Sequence, residues 1–190
     1  VARNSEMTKK SGFNNYIVED KIIKFELKDR DGKTIFGIID LDDLNKLVDL
    51  DIRWYARYDK KLKDYYIQGN LKIEKEGNEK RITIALHQFI LDYYGGRKFH
   101  IDHINQSRLD NRKKNLRICE VNENTKNRKG KNSNNTSGHR NVCFYKNWYL
   151  VQLQINGKNT LILKTKDYNE ACKVADKSRL EYYGEFAGQN

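Results

Sequence analysis

The sequence predicts an α+β chain: strands dominate its first part, and its last part closes with a helix. Three observations carry this. Ile23, Phe25 and Leu27 alternate with polar residues, the period of a half-buried strand. Asp31-Gly32 and Asn156-Gly157 interrupt such runs with residues that accept positive φ, as two-residue hairpin turns require. Beyond Asp167 the period becomes helical. Asp167 and Glu170 form a capping box, Ala171, Val174, Ala175, Ser178 and Tyr182 mark a buried stripe, and Gly184 ends it.

Taken in order, residues 1–15 are polar and are expected to be disordered. Residues 16–84 form a β-rich region. Within it, Leu41, Leu44 and Leu47 predict a short helix, and "IRWYARYDKKLKDYYIQGNLKI" predicts a second hairpin. "EKRITIALHQFILDYYGG" runs from a strand into a helix that Gly95-Gly96 would stop. Residues 85–129 contain a strand at Phe99–Ile101, a loop of turn formers and charge, a strand at Leu116–Ile118, and a helix from Glu120. Acids open that helix and bases close it, as the helix dipole favours. Residues 130–138 belong to a basic Asn/Ser/Gly run, read as a linker that tracks DNA; a solvated tether is the plain alternative. Residues 139–190 predict three strands and the closing helix. In the middle strand, Tyr149, Val151, Leu153 and Ile155 share one face.

The chain has 190 residues, with 37 Lys+Arg against 26 Asp+Glu, a formal net charge of +11. Such an excess points to a polyanion, meaning nucleic acid or an anionic membrane surface; a ribosome-like basic protein fits it equally. No apolar run approaches the ~20 residues of a membrane span, and the polar start lacks the apolar segment of a secretion signal. No membrane partner and an intracellular location are expected. Cys119, Cys143 and Cys172 are far apart, which disfavours a structural zinc knuckle and a disulfide scaffold.

One stretch suggests chemistry. "FHIDHINQSRLDNRKKNLRICEVNEN" sets Asp102 beside His103 and follows His103 with Asn115 twelve residues on and Asn124 twenty-one on. Hydrolysis of a phosphodiester needs a base for water and positive charge at the phosphate. A histidine at a strand end supplies the base, provided a partner fixes its tautomer; a backbone carbonyl near Asn115 is the expected partner. Asp102 and an asparagine from a following helix are the hard oxygen donors that Mg²⁺ takes. A lone Asp-His pair in a turn-rich loop, read without its neighbours, has a plain structural alternative.

The wider stretch "HIDHINQSRLDNRKKNLRICEVNENTKNRK" resembles the HNH nuclease motif, in the branch found in phage and intron-borne homing endonucleases. The preceding "LHQFIL" resembles the segment that leads into this motif, with Gln88 where the family usually has Arg. Asn124 stands where the name-giving pattern has its last His. The resemblance implies a ββα-metal (His-Me finger) core, His103 as general base, Asp102 and Asn124 as ligands of Mg²⁺ (or Mn²⁺), and Asn115 bracing the loop and the base. Asp110 and Asn111 are read as loop-structuring. Arg112 and Arg117 are candidates for phosphate contact, with a salt bridge as the alternative. Asn127, Arg128, Lys129 and Lys131 are further DNA-contact candidates, the first two sharing a helix face with Asn124. His87 is read as structural, His100 as pointing away, and His139 as without catalytic company.

From Ser137 to Ala187 a second resemblance appears. Ser137-Gly138, Val142, the Trp148 strand, Asn156-Gly157-Lys158, "DYNEA" and "YYGEFA" are similar to the DNA-binding domain of plant APETALA and ethylene-response factors, which reads DNA through its sheet. That implies contacts from Arg140, Tyr145, Trp148, Gln152, Gln154 and Lys158; Gln suits adenine and Arg guanine in the major groove. The expectation is then a site-specific endonuclease of the homing type acting on double-stranded DNA. A monomer would nick one strand, and a dimer would be needed to break both. A restriction or defence nuclease, a DNA-binding regulator with an inactive core, and an RNA-binding protein are the alternatives.

Overall fold

The computed structural model describes residues 13–50, 52–75, 77–128 and 130–188. It is a mixed α+β chain that divides into two compact units, one up to Ile118 and one from Cys119 onward. Among the described residues, no helix is long and apolar enough to cross a membrane.

The first unit opens with an antiparallel meander of β1 (Tyr16–Glu19), β2 (Ile22–Lys28) and β3 (Thr34–Asp40). Ile23, Phe25 and Leu27 are fully buried, as their alternation predicts. The β2–β3 turn holds because Asp29 accepts hydrogen bonds from the amides of Asp31 and Lys33 while Gly32 takes φ +80°. A 3-10 turn (Leu41–Asp43) and α1 (Leu44–Val48) follow. The second meander is β4 (Trp54–Asp59), β5 (Asp64–Lys75) and β6 (Asn78–Ala85). Trp54, Ala56 and Ile67 join the core that β2 and β3 begin, so the two sheets share one apolar interior. Gly37 permits this approach: a Cβ there would lie 2.6 Å from the Ile67 side chain and 2.8 Å from that of Phe25.

The expected disordered start gives way at its end. Phe13 and Asn14 are buried, and the Asn14 amide donates to the carbonyls of Glu26 and Trp54 while accepting from the Trp54 amide. Residues 1–12 lie outside the described residues. The helix α2 (Leu86–Leu91) stops before the glycine pair expected to end it. Asp92 takes the left-handed conformation at φ 50°, and the amides of Asp92 and Tyr93 bond back to the helix carbonyls.

Two short strands, β7 (Phe99–His103) and β8 (Leu116–Glu120), pair with each other. The loop between them is docked rather than loose. The Ile38 amide donates to the Leu109 carbonyl and the Asn111 amide to the Ile38 carbonyl, each at 2.8 Å, which fastens the loop to the edge of β3. Ile101, Leu109 and Leu116 pack against the shared core from this side.

The second unit starts within β8 and continues through α3 (Val121–Lys126). Its sheet has the order β11-β10-β9, from β9 (Val142–Tyr145), β10 (Trp148–Ile155) and β11 (Lys158–Thr165). α4 (Tyr168–Tyr183) covers one face, burying Val151 and Leu153 against Ala171 and Ala175. Asp167 caps α4 as expected, accepting from the amides of Asn169 and Glu170. The reciprocal half of the box is redirected, because Glu170 accepts the Thr165 hydroxyl instead. The stripe also turns: Tyr183 and Arg179 are buried, and Tyr182 is exposed.

Candidate functional site

His103 ends β7, where the strand turns and its carbonyl accepts from the Gln106 amide. Asp102 and His103 are both buried, at 5% and 7% exposure. The ring nitrogen Nε2 of His103 faces Asn111 Oδ1 at 3.3 Å. Asn111 is wholly buried, and its Nδ2 donates to the Arg108 carbonyl, which turns its oxygen toward the ring. An amide oxygen accepts, so this contact suits the tautomer with its hydrogen on Nε2. Asn111 is thus an orienting partner of the ring, one that the reading of the sequence did not include. Burial pushes the His103 pKa below its usual value and Arg108 adds to this, against Asn111, Asp102 and Asp110. The ring is neutral at neutral pH, the state a general base requires.

Asn115 is the brace of the loop. Its Oδ1 accepts from the Asn105 amide at 2.9 Å, its Nδ2 donates to the Asp110 carbonyl at 2.7 Å, and its carbonyl accepts from the Ile104 amide. Asp110 accepts the Arg112 fork at 2.7 and 2.6 Å and the Asn105 side chain at 2.9 Å. Burial alone would raise its pKa; Arg112 outweighs that and lowers it. Asp102 Oδ2 receives both Nε and Nη2 of Arg117, at 2.9 and 2.8 Å. Arg112 and Arg117 each form the salt bridge that is the alternative to phosphate contact, with Asp110 and Asp102.

Two groups beside the base were not read from the sequence as part of the site. His87, on α2, sets its ring edge-to-face with that of His103, with centroids 5.3 Å apart and planes at 77°. Burial, then the proximity of His103 and Arg108, lowers its pKa to about 4. It is a neutral neighbour and adds no like charge beside the base. Arg108 pairs with Asp64 at 2.8 Å and lies over the Tyr66 ring at 4.9 Å. The sequence signal was the apolar helical setting of His87, which reads as core; only the tertiary fold brings α2 to the end of β7.

Asn124 lies on α3 in the second unit and is half-buried. α3 is six residues long and opens on a reciprocal capping box between Glu120 and Glu123. It ends at Lys126, with Asn127 outside helical geometry and buried. Asn127 and Arg128 therefore do not extend the helix face that carries Asn124. Arg128 contacts Asn132, Lys131 is exposed, and Lys129 lies outside the described residues.

On the sheet of the second unit, the face away from α4 presents Tyr145, Trp148, Gln152 and Gln154. Tyr145 is 57% exposed with Lys146 Nζ 5.3 Å from its ring centre. Trp148 is half-buried, and Lys164 and Lys166 both reach its ring, at 4.6 and 5.2 Å. Gln154 is exposed and donates to the Gly157 carbonyl; Lys158 is exposed. Lys164 and Lys166 were missed as surface cations, although their spacing of two places both on this side. A polar groove of about 920 Å³ lies in this unit, lined in part by Lys126, Arg128, Asn134, Gln152, Gln154 and Asn159. Arg140 departs from expectation. It is 2% exposed, so it is no base contact; its guanidinium is spent on backbone carbonyls. His139 is also buried, with Nε2 2.9 Å from Asp176 Oδ1.

Comparison of the chain with protein-family models, with curated proteins and with solved structures found no match.

Proposed function

We propose that the chain is a DNA endonuclease of the HNH type, with His103 as the general base and the sheet of the second unit as a DNA-reading surface. The observation that carries the reading is the oriented, buried His103: neutral, tied through Nε2 to Asn111, and adjacent to the Asp102 carboxylate. In this reaction the His103 imidazole takes a proton from water. The water oxygen bonds to phosphorus, and the bond from phosphorus to the 3′ oxygen breaks. A homing role within a phage or mobile element is the finer form of the proposal, and it rests on the resemblance of the motif.

The donor chemistry suits a hard divalent cation. Asp102 offers a carboxylate and Asn124 an amide oxygen, the ligand types that Mg²⁺ and Mn²⁺ take while keeping waters. The resemblance of the motif is what assigns the ion to these two residues; when bound it would supply positive charge against the phosphate. Arg117 supplies the charge that faces Asp102 in the protein itself.

Relaxation of supercoiled plasmid tests the reading. Wild type with Mg²⁺ is expected to nick, and EDTA to stop it. His103→Ala is expected to lose at least about 100-fold in rate, the usual contribution of a general base. Equal relaxation by both proteins would remove His103 from the mechanism. No relaxation by wild type, with tight duplex binding retained, would favour a regulator.

A further inference from the structure

The segment expected to be a tether is instead folded into the second unit. The Asn135 side chain donates to the carbonyls of His139 and Val142, at 3.0 and 2.7 Å, and Ser137 Oγ donates to the same Val142 carbonyl at 2.8 Å. At the centre lies Arg140. Its Nη2 donates to the Lys126 carbonyl at 2.5 Å, and its Nη1 to the carbonyls of Arg128 and Ala187, each at 2.9 Å. Lys126 is the last residue of α3, so Arg140 caps a helix end whose carbonyls have no partner within the helix. A helix of six residues does not hold itself together in water, and its stability must come from such outside contacts.

Arg140 is itself fixed from the opposite side. Its carbonyl accepts from Nη1 of Arg179, a buried residue of α4, at 3.2 Å. Gly188 closes the remaining side at φ +61°, where a Cβ would stand 2.5 Å from Arg140 Nη1 and 2.7 Å from the Arg128 carbonyl. A second link runs in parallel. Lys126 Nζ lies 5.2 Å from the ring centre of Tyr183, and the Tyr183 hydroxyl accepts from the amide of Gln154, in the middle strand of the sheet.

We propose that Arg140 is a positioning residue that locks α3, and with it Asn124, onto the DNA-reading sheet of the second unit. The proposal rests on the nuclease reading above for its consequence, and on the geometry alone for the clamp. DNA seated on the sheet and the side chain of Asn124 are then carried by one rigid piece. The basic run between them is a strut, not a tether. Lysine cannot replace the planar fork that reaches three carbonyls from one guanidinium.

The test uses the full chain with Arg140→Lys and Gly188→Ala. The first keeps the positive charge and any attraction to phosphate. The second leaves Arg140 in place and crowds it. Three quantities are read: hydrogen exchange of amides, affinity for a linear duplex cut from the plasmid, and nicking rate at saturating plasmid. In both variants the amides of residues 124–128 are expected to exchange at least about tenfold faster, with α4 protection unchanged. Duplex affinity should stay within about threefold, while the saturated nicking rate falls about tenfold or more. Affinity lost with exchange unchanged would make Arg140 a DNA contact and overturn the clamp. Loss of α4 protection as well would make it a core residue only, and wild-type behaviour in both variants would also overturn the proposal. A wild type that does not nick removes the nuclease reading alone, since the exchange results still decide the clamp.

Discussion

His87 and Asn111 decide how His103 behaves, and each makes a prediction at the level of one side chain. The pKa of His87 is pushed from its usual value near 6.5 down to about 4. Its folded form therefore binds fewer protons than its unfolded form between those values. Above about pH 6.5 both forms are neutral and no penalty exists; as pH falls toward 4, protonation favours the unfolded chain. The full penalty is on the order of 3 kcal/mol, at about 1.4 kcal/mol for each unit. His87→Phe keeps a ring against His103 and cannot titrate, so its urea midpoint should fall less between pH 6.5 and 4 than that of wild type. Parallel losses in the two proteins would show that His87 is not the group responsible. Asn111→Ala removes the acceptor that holds Nε2, and nicking is expected to drop about 10- to 100-fold, the usual cost of losing a group that orients a functional histidine. Asn111→Asp keeps an acceptor and should recover part of the loss. The sequence showed Asp102, His103 and Asn115 because their order and spacing are local. It concealed the partners, because Asn111 looks like any turn residue and His87 like any core histidine until α2 and the β7–β8 loop meet.

At the level of elements, hydrophobic period and turn chemistry were enough for most of the fold. Ile23, Phe25, Leu27, Val151 and Leu153 are buried where alternation places them, and Gly32, Gly157 and Gly184 turn the chain where expected. The failures fall where a contact distant in sequence outweighs a local preference. α2 stops at Leu91 because Asp92 supplies a left-handed cap before the glycines are reached. The composition of the Asn/Ser/Gly run suggests a linker, yet Asn135 and Ser137 bond to backbone carbonyls of their own unit. Tyr182 and Tyr183 differ by one position, about 100° of helix rotation, and periodicity in a helix with a wide polar face does not separate them. α4 depends on its N-cap: Asp167 satisfies two amides that would otherwise lack partners. Asp167→Ala should cost about 1 kcal/mol and lower the melting temperature by a few degrees. Asp167→Asn should cost much less, because its amide oxygen can still accept. A fall of similar size in both variants would point to charge at the helix end as the dominant effect.

Across the whole molecule, an excess of eleven positive charges attracts polyanions without saying where one would sit. Salt separates the general field from local contacts. Each phosphate neutralised on binding releases counterions, so the logarithm of affinity falls with the logarithm of salt at a slope of about −0.9 for each such contact. Lys164 and Lys166 stand over Trp148 on the uncovered face of the sheet, where two phosphates of a bound duplex would meet them. Replacing both by Ala should make the slope shallower by about 2 and weaken binding most at low salt. Removing two exposed cations elsewhere, Lys60 and Lys61 beside the β4–β5 turn, keeps the net charge equal to that of the first pair variant. If the sheet is the contact surface, this control changes the slope by much less. Equal changes in the two pair variants would show that binding depends on total charge alone, and the sheet would lose its role as the reading surface.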